Sequence, residues 1–102
     1  MALKITASGD AKLVVSGTAT ELSEIYSRLE FGLPKNGASM NAGLYNYASQ
    51  ALYEAESGST LRLDNFGTNY NVAIVAPAEQ SLMTGHEGVK SQLEDLGYTV
   101  EI

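Results

Sequence analysis

The sequence predicts an α+β fold, a two-layer sandwich in which a five-stranded, mostly antiparallel sheet carries three helices on one face, in the order β-β-α-α-β-β-α-β. Three observations predict it. From Ser39 to Gly58, SMNAGLYNYASQALYEAESG, the residues Leu44, Tyr47, Ala48, Ala51, Leu52 and Ala55 recur at the spacing that stacks side chains on one face of a helix. Both ends of the chain alternate apolar and polar residues, the signature of half-buried strands. Two Thr-x-x-Glu sequences, at Thr18 and Thr84, have the spacing of a capping box and predict helix starts.

In chain order, Leu3, Ile5 and Ala7 alternate with Lys4 and Thr6, and the pattern resumes at Ala11, Leu13 and Val15 after Ser8-Gly9-Asp10. A three-residue loop pairs Ile5 with Leu13 and Leu3 with Val15 and keeps the apolar set on one face; a two-residue loop would mix the faces. The first helix opens at Thr18 to Glu21, buries Leu22, Ile25, Tyr26 and Leu29, and stops near Glu30, before Gly32 and Pro34. A linker from Leu33 to Ala38 leads to Ser39, the expected N-cap of the long helix.

Gly58 closes that helix. A second hairpin follows, pairing Leu63 with Val72 and Leu61 with Ile74 across a loop at Phe66 to Asn69. The run Tyr70 to Ala76 is apolar on both faces and so reads as a central strand. Pro77 ends it, the last helix begins near Thr84 with Val89, Leu93 and Leu96 inward, and Gly97 terminates it before a closing strand Tyr98, Val100, Ile102, an order that predicts a right-handed parallel crossover. No linker or repeat divides residues 1–102, which are expected to form one compact domain.

Composition narrows the function classes. There are 12 acidic and 6 basic residues, a net charge of −6, which repels phosphate backbones and makes direct nucleic-acid binding an unfavoured expectation. There are no cysteines, which excludes a disulfide framework, thiol catalysis and a thiolate metal site. The first seven residues lack the apolar run of a signal peptide, and no stretch approaches a membrane span, so a cytoplasmic protein is expected. The registers above would place Lys4, Lys12 and Arg62 on the outer sheet face beside Val14, Ala73 and Val75, with most carboxylates on the helices. Val14, Ala73 and Val75 on an open face would suit a homo-oligomer.

No chemical motif emerges. His86 is the single histidine, expected at the surface of a helix start, and no serine or carboxylate stands at triad spacing with it. Glu54 with Glu56, and Glu94 with Asp95, lie too close along a helix to face each other across a substrate. Zinc-protease, calcium-loop and dinucleotide fingerprints are missing, so no enzyme activity, cofactor or metal is expected. No motif supports resemblance to a named family.

Two functional readings follow. Tyr45, Ser49 and Tyr53 align at i+4 on the far side of the long helix, with Glu54 and Glu56 beyond them. This predicts a non-catalytic protein-binding module whose acidic surface docks on a basic partner, including a partner that handles nucleic acid, by analogy with small phage-encoded inhibitors. The alternative is an oligomeric binder of a small anionic ligand or nucleotide at Lys35, Asn36, Gly37 and Ser39, where a glycine turn feeds a helix N-terminus beside a lysine.

Overall fold

The computed structural model of the chain describes residues 2–32, 39–55, 60–73 and 82–102. Among them are the strands β1 (Leu3–Thr6), β2 (Leu13–Val14), β3 (Glu21–Leu22), β4 (Glu24–Gly32) and β5 (Ser39–Tyr47), the short helix α1 (Gln50–Glu54), strand β6 (Asn69–Ala73), helix α2 (Leu82–Asp95) and strand β7 (Thr99–Glu101). The fold is mixed α+β with a curled five-stranded sheet in the order β6-β5-β4-β1-β7. Every neighbouring pair in it is antiparallel. β2 and β3 form a separate two-stranded sheet.

The first and longest predicted helices are corrected to strands. In β4, Ile25, Ser27 and Leu29 are buried while Tyr26, Arg28 and Glu30 point away, a period of two. In β5, Met40, Ala42, Leu44 and Asn46 are buried in the same way. A spacing of four puts two residues on the same face in a helix and in a strand alike, so Ile25 with Leu29 fits both templates. Only the end of the predicted long helix is helical. Ser49, not Ser39, is its N-cap, its side chain accepting from the Leu52 N–H. No residue of α1 is buried, so the Ala51, Leu52 and Ala55 stripe does not form a core wall. The described residues thus contain two helices where three were expected.

The hairpins are also redrawn. A two-residue turn at Gly9-Asp10 closes with reciprocal backbone hydrogen bonds between Ser8 and Ala11 at 2.9 and 3.1 Å, and Gly9 takes a φ of +57°. Past the turn the chains part. Ile5 pairs with Ile25 on one side and Val100 on the other, and Leu13 pairs with Leu22. The face-mixing that argued against the shorter loop does not arise, because β1 and β2 do not continue as a ladder. Val72 pairs with Met40 rather than Leu63, which bridges to Val15, and Leu61 bridges to Asn46. Among the described residues β6 is an edge strand, not a central one, and Ile74 to Pro77 lie outside them.

The C-terminal reading holds best. Val89 and Leu93 of α2 are fully buried, although Leu96 is 61% exposed and not inward. Helix α2 ends in a Schellman motif. Tyr98 N–H donates to the Leu93 carbonyl at 3.2 Å and Gly97 N–H to the Glu94 carbonyl at 3.0 Å, which requires the φ of +105° at Gly97. The alternation of Tyr98 and Val100 does form a strand, but β7 pairs antiparallel with β1 at the far end of the sheet from β6, so α2 does not make the parallel crossover expected from the strand-helix-strand order. The core lies between the inner face of the sheet, α2 and the β2–β3 side. It includes Leu3, Ile5, Leu13, Ile25, Val89 and Leu93.

Two glycines let α2 approach that face. A Cβ on Gly88 would stand 2.4 Å from Val72 Cγ1, and one on Gly85 would stand 2.4 Å from the Phe31 ring. Val72 is buried and β-branched, with little rotameric freedom, while the half-buried Phe31 ring can tilt. Overpacking of about 1–3 kcal/mol therefore outweighs the gain of about 1 kcal/mol from removing a helical glycine at position 88. Gly88→Ala is expected to lower the melting temperature more than Gly85→Ala; an increase for Gly88→Ala would show that the helix does not sit this close.

Candidate functional site

The alternation that sends Ile25, Ser27, Leu29, Met40 and Leu44 inward sends Tyr26, Arg28, Glu30, Tyr45 and Tyr47 to the opposite face. The registers then set the rows of that face. Tyr47 lies opposite Tyr26, Tyr26 opposite Lys4, and Lys4 opposite Glu101. In the next row Arg28 faces Tyr45, and Glu30 follows opposite Gly43. Of the described residues on this face only Tyr47 is buried; the others are exposed or half-buried.

Helix α1 sits at one margin of the same face, so the helices are not all on one side of the sheet. Tyr53 packs edge-on against Tyr47 with ring centroids 5.8 Å apart and planes at 73°. The Tyr26 hydroxyl donates to Gln50 Oε1 at 3.4 Å, and Gln50 Nε2 donates to Glu54 at 3.1 Å. Tyr45, 39% exposed, carries the Arg28 guanidinium over its ring at 4.5 Å from the centroid. Arg28 in turn bonds the Glu30 carboxylate.

The electrostatics follow from these pairings. The hydrogen bond from Arg28 holds the Glu30 carboxyl below its ordinary range, and the Glu30 carboxylate, followed by the Tyr47 hydroxyl, raises Arg28 above its own. Lys4 is raised chiefly by its hydrogen bond to Glu24, at 3.3 Å. Both cations of the face are thus engaged by carboxylates of the same strand system. Of the three basic residues expected together, Lys4 is on this face; Lys12 pairs with Glu21 at 3.9 Å in the two-stranded sheet, and Arg62 is exposed in the segment before β6.

The residues singled out from the sequence are distributed as follows. Tyr45, Tyr53 and Glu54 are brought to one region, but by a strand and a following helix rather than by a helix face. Ser49 is engaged in capping, its Oγ 3.2 Å from the Leu52 nitrogen. Glu56, Lys35, Asn36 and Gly37 lie outside the described residues, and Ser39 begins β5 instead of capping a helix. Val14 belongs to the two-stranded sheet and Ala73 to the end of β6, while Val75 is outside the described residues. Sequence reasoning missed Tyr26, Arg28 and Tyr47, having assigned Tyr26 and Tyr47 to buried helix stripes. Alternation through Ile25, Leu29 and Phe31 was the available signal.

Little else offers chemistry. His86 is buried within α2, edge-on to Phe31 at 5.5 Å, which corrects its expected surface position. Among the described residues no group of three or more His, Asp or Glu side chains could hold a metal ion. An open cleft of ≈ 460 Å³ beside β2 is lined by residues that include Asp10, Lys12, Val14, Asp64, Leu96 and Tyr98. No helix among the described residues is long and apolar enough to cross a membrane. No protein-family model, curated protein or solved structure matches the chain.

Proposed function

We propose that this chain is a small non-catalytic protein-binding module, an acidic domain that docks on a basic surface of a partner protein. The observation that carries the reading is the aromatic group on the open sheet face, with Tyr45 exposed beside the Tyr47–Tyr53 pair, on a chain of net charge −6. Exposed tyrosines supply apolar area and a hydroxyl at low entropic cost and are enriched at interfaces. The surplus of carboxylates favours approach to cations. Where the partner's basic surface serves nucleic acid, occupation by this module blocks it, and the module acts as an inhibitor.

Affinity capture on the wild type beside Tyr45→Ala/Tyr53→Ala and the distant Leu96→Ala tests this, with circular dichroism confirming that each variant is folded. A specific protein or complex held by the wild type and by Leu96→Ala, but lost with the double tyrosine variant, is the expected result. Its retention should weaken as salt rises from about 0.1 to about 0.5 M. A retained set that the tyrosine changes leave intact would remove this face from the interaction. For an inhibitor, nucleic acid added to the captured complex competes the module off.

A further inference from the structure

The geometry points to a guanidinium-binding surface on the open sheet face, one that takes arginine side chains of the partner between tyrosine rings and carboxylates. The inference rests on the protein-binding reading and names the chemistry the face selects. Arg28 is the internal precedent. Its guanidinium lies over the Tyr45 ring at 4.5 Å while bonding the Glu30 carboxylate, so one planar cation meets a ring face and a carboxylate at once.

The same two components recur next to it. Tyr26 stands in the adjoining row, where the Glu24 carboxylate meets Lys4 at 3.3 Å, and the Glu54 carboxylate is linked to Tyr26 through Gln50. Charge complementarity sets the sign of the occupant. Among the described residues the face and its α1 margin carry Glu24, Glu30, Glu54 and Glu101 against Lys4 and Arg28, and both of those cations are engaged by carboxylates. A phosphate chain would meet the surplus carboxylates, whereas an arginine-bearing segment relieves them. A guanidinium stacks and forks where an ammonium acts as a hydrated point charge, so arginine is preferred to lysine.

Titration of the isotope-labelled full chain, followed by amide chemical shifts, tests the inference with three probes. These are an oligoarginine peptide, an oligolysine peptide of equal length and a single-stranded oligothymidylate. Oligoarginine is expected to shift the amides of Tyr26, Arg28, Tyr45 and Tyr53 and to bind about tenfold more tightly than oligolysine. Tyr45→Leu, at a position exposed enough to keep the fold, should lower that affinity about tenfold, and Tyr45→Phe should retain it. Equal binding of the two peptides, indifference to Tyr45→Leu, or shifts confined to α2 and the β2–β3 side would overturn the inference. So would oligothymidylate binding on the same amides, which would make the face a nucleic-acid platform. Tyrosine-dependent capture of a partner without any oligoarginine binding would overturn the guanidinium site and leave the module reading standing. Oligoarginine binding as expected with no captured partner would do the reverse.

Discussion

Leu93→Ala is expected to destabilise the domain by about 3 kcal/mol, while Leu96→Ala three residues later changes it by less than about 0.5 kcal/mol. Leu93 has no solvent exposure and lies one turn from Val89, which has none either; Leu96 is 61% exposed. Truncating Leu93 loses the transfer free energy of its buried methyls and leaves a cavity that α2 cannot close, because the helix is fixed at Gly88 against Val72 and at its C-terminus by the Schellman bonds. The Leu93 carbonyl anchors Tyr98, whose hydroxyl reaches the Lys12 carbonyl at 2.9 Å, so the same turn ties α2 to β7 and to the β2 region. Urea denaturation should show a lower midpoint for Leu93→Ala with unchanged slope, and a melting temperature about 15 °C lower. Comparable losses at both positions would place α2 in a different rotational phase.

The same contrast shows which parts of the fold were legible. At positions 89 and 93 the helical period, the glycine at 97 and the closing alternation all agree, and helix α2 and strand β7 followed, though β7 pairs antiparallel with β1 instead of completing a parallel crossover. Between residues 21 and 47 they conflict. Ile25 with Leu29, and Leu44 with Ala48, are spaced by four and satisfy both periods, so the decision fell on intervening residues. There the strand pattern was hidden by polar side chains at two inward positions, Ser27 and Asn46, which are 0% and 2% exposed. Asn41 and Gly43 are poor helix formers and were the local evidence against a helix in β5.

The candidate site was legible in type but not in geometry. Tyr45 and Tyr53 stand on one surface, yet the spacing of eight that aligned them on a helix is divided between β5 and α1, and the strand-to-helix break at Ala48-Ser49 brings them together. Arg28 could not be placed beside Tyr45 by any local rule, since that neighbour relation comes from the β4–β5 register over a separation of seventeen residues. Non-local pairings of this kind are specified by the sum of inward residues along both strands, which a wrong period assignment conceals.

Asn46→Ala should cost about 2–3 kcal/mol and Ser27→Ala about 1–2 kcal/mol, with the double substitution costing about 1 kcal/mol less than their sum. Ser27 and Asn46 face each other across β4 and β5, and the serine hydroxyl donates to Asn46 Oδ1 at 2.6 Å inside the core. Removing one partner strands the other without water, whereas removing both eliminates the unmet polar group along with the bond. The Asn46 carbonyl accepts from Leu61 N–H at 2.8 Å, a backbone bond that side-chain substitution does not remove, so the cycle is expected to isolate the side-chain pair. The pair also acts on register. Sliding β5 by two residues keeps its apolar set inward and would cost little in hydrophobic contact, but it would move Asn46 opposite Ile25 or Leu29 and bury both polar side chains unmatched. An apolar replacement such as Ser27→Ala/Asn46→Leu should therefore recover stability while weakening that discrimination, seen as broadened amide resonances along β5 and altered shifts at Arg28 and Tyr45. Additive single losses, or sharp unshifted resonances in the apolar pair, would mean that neighbouring packing alone holds the register on which the tyrosine face depends.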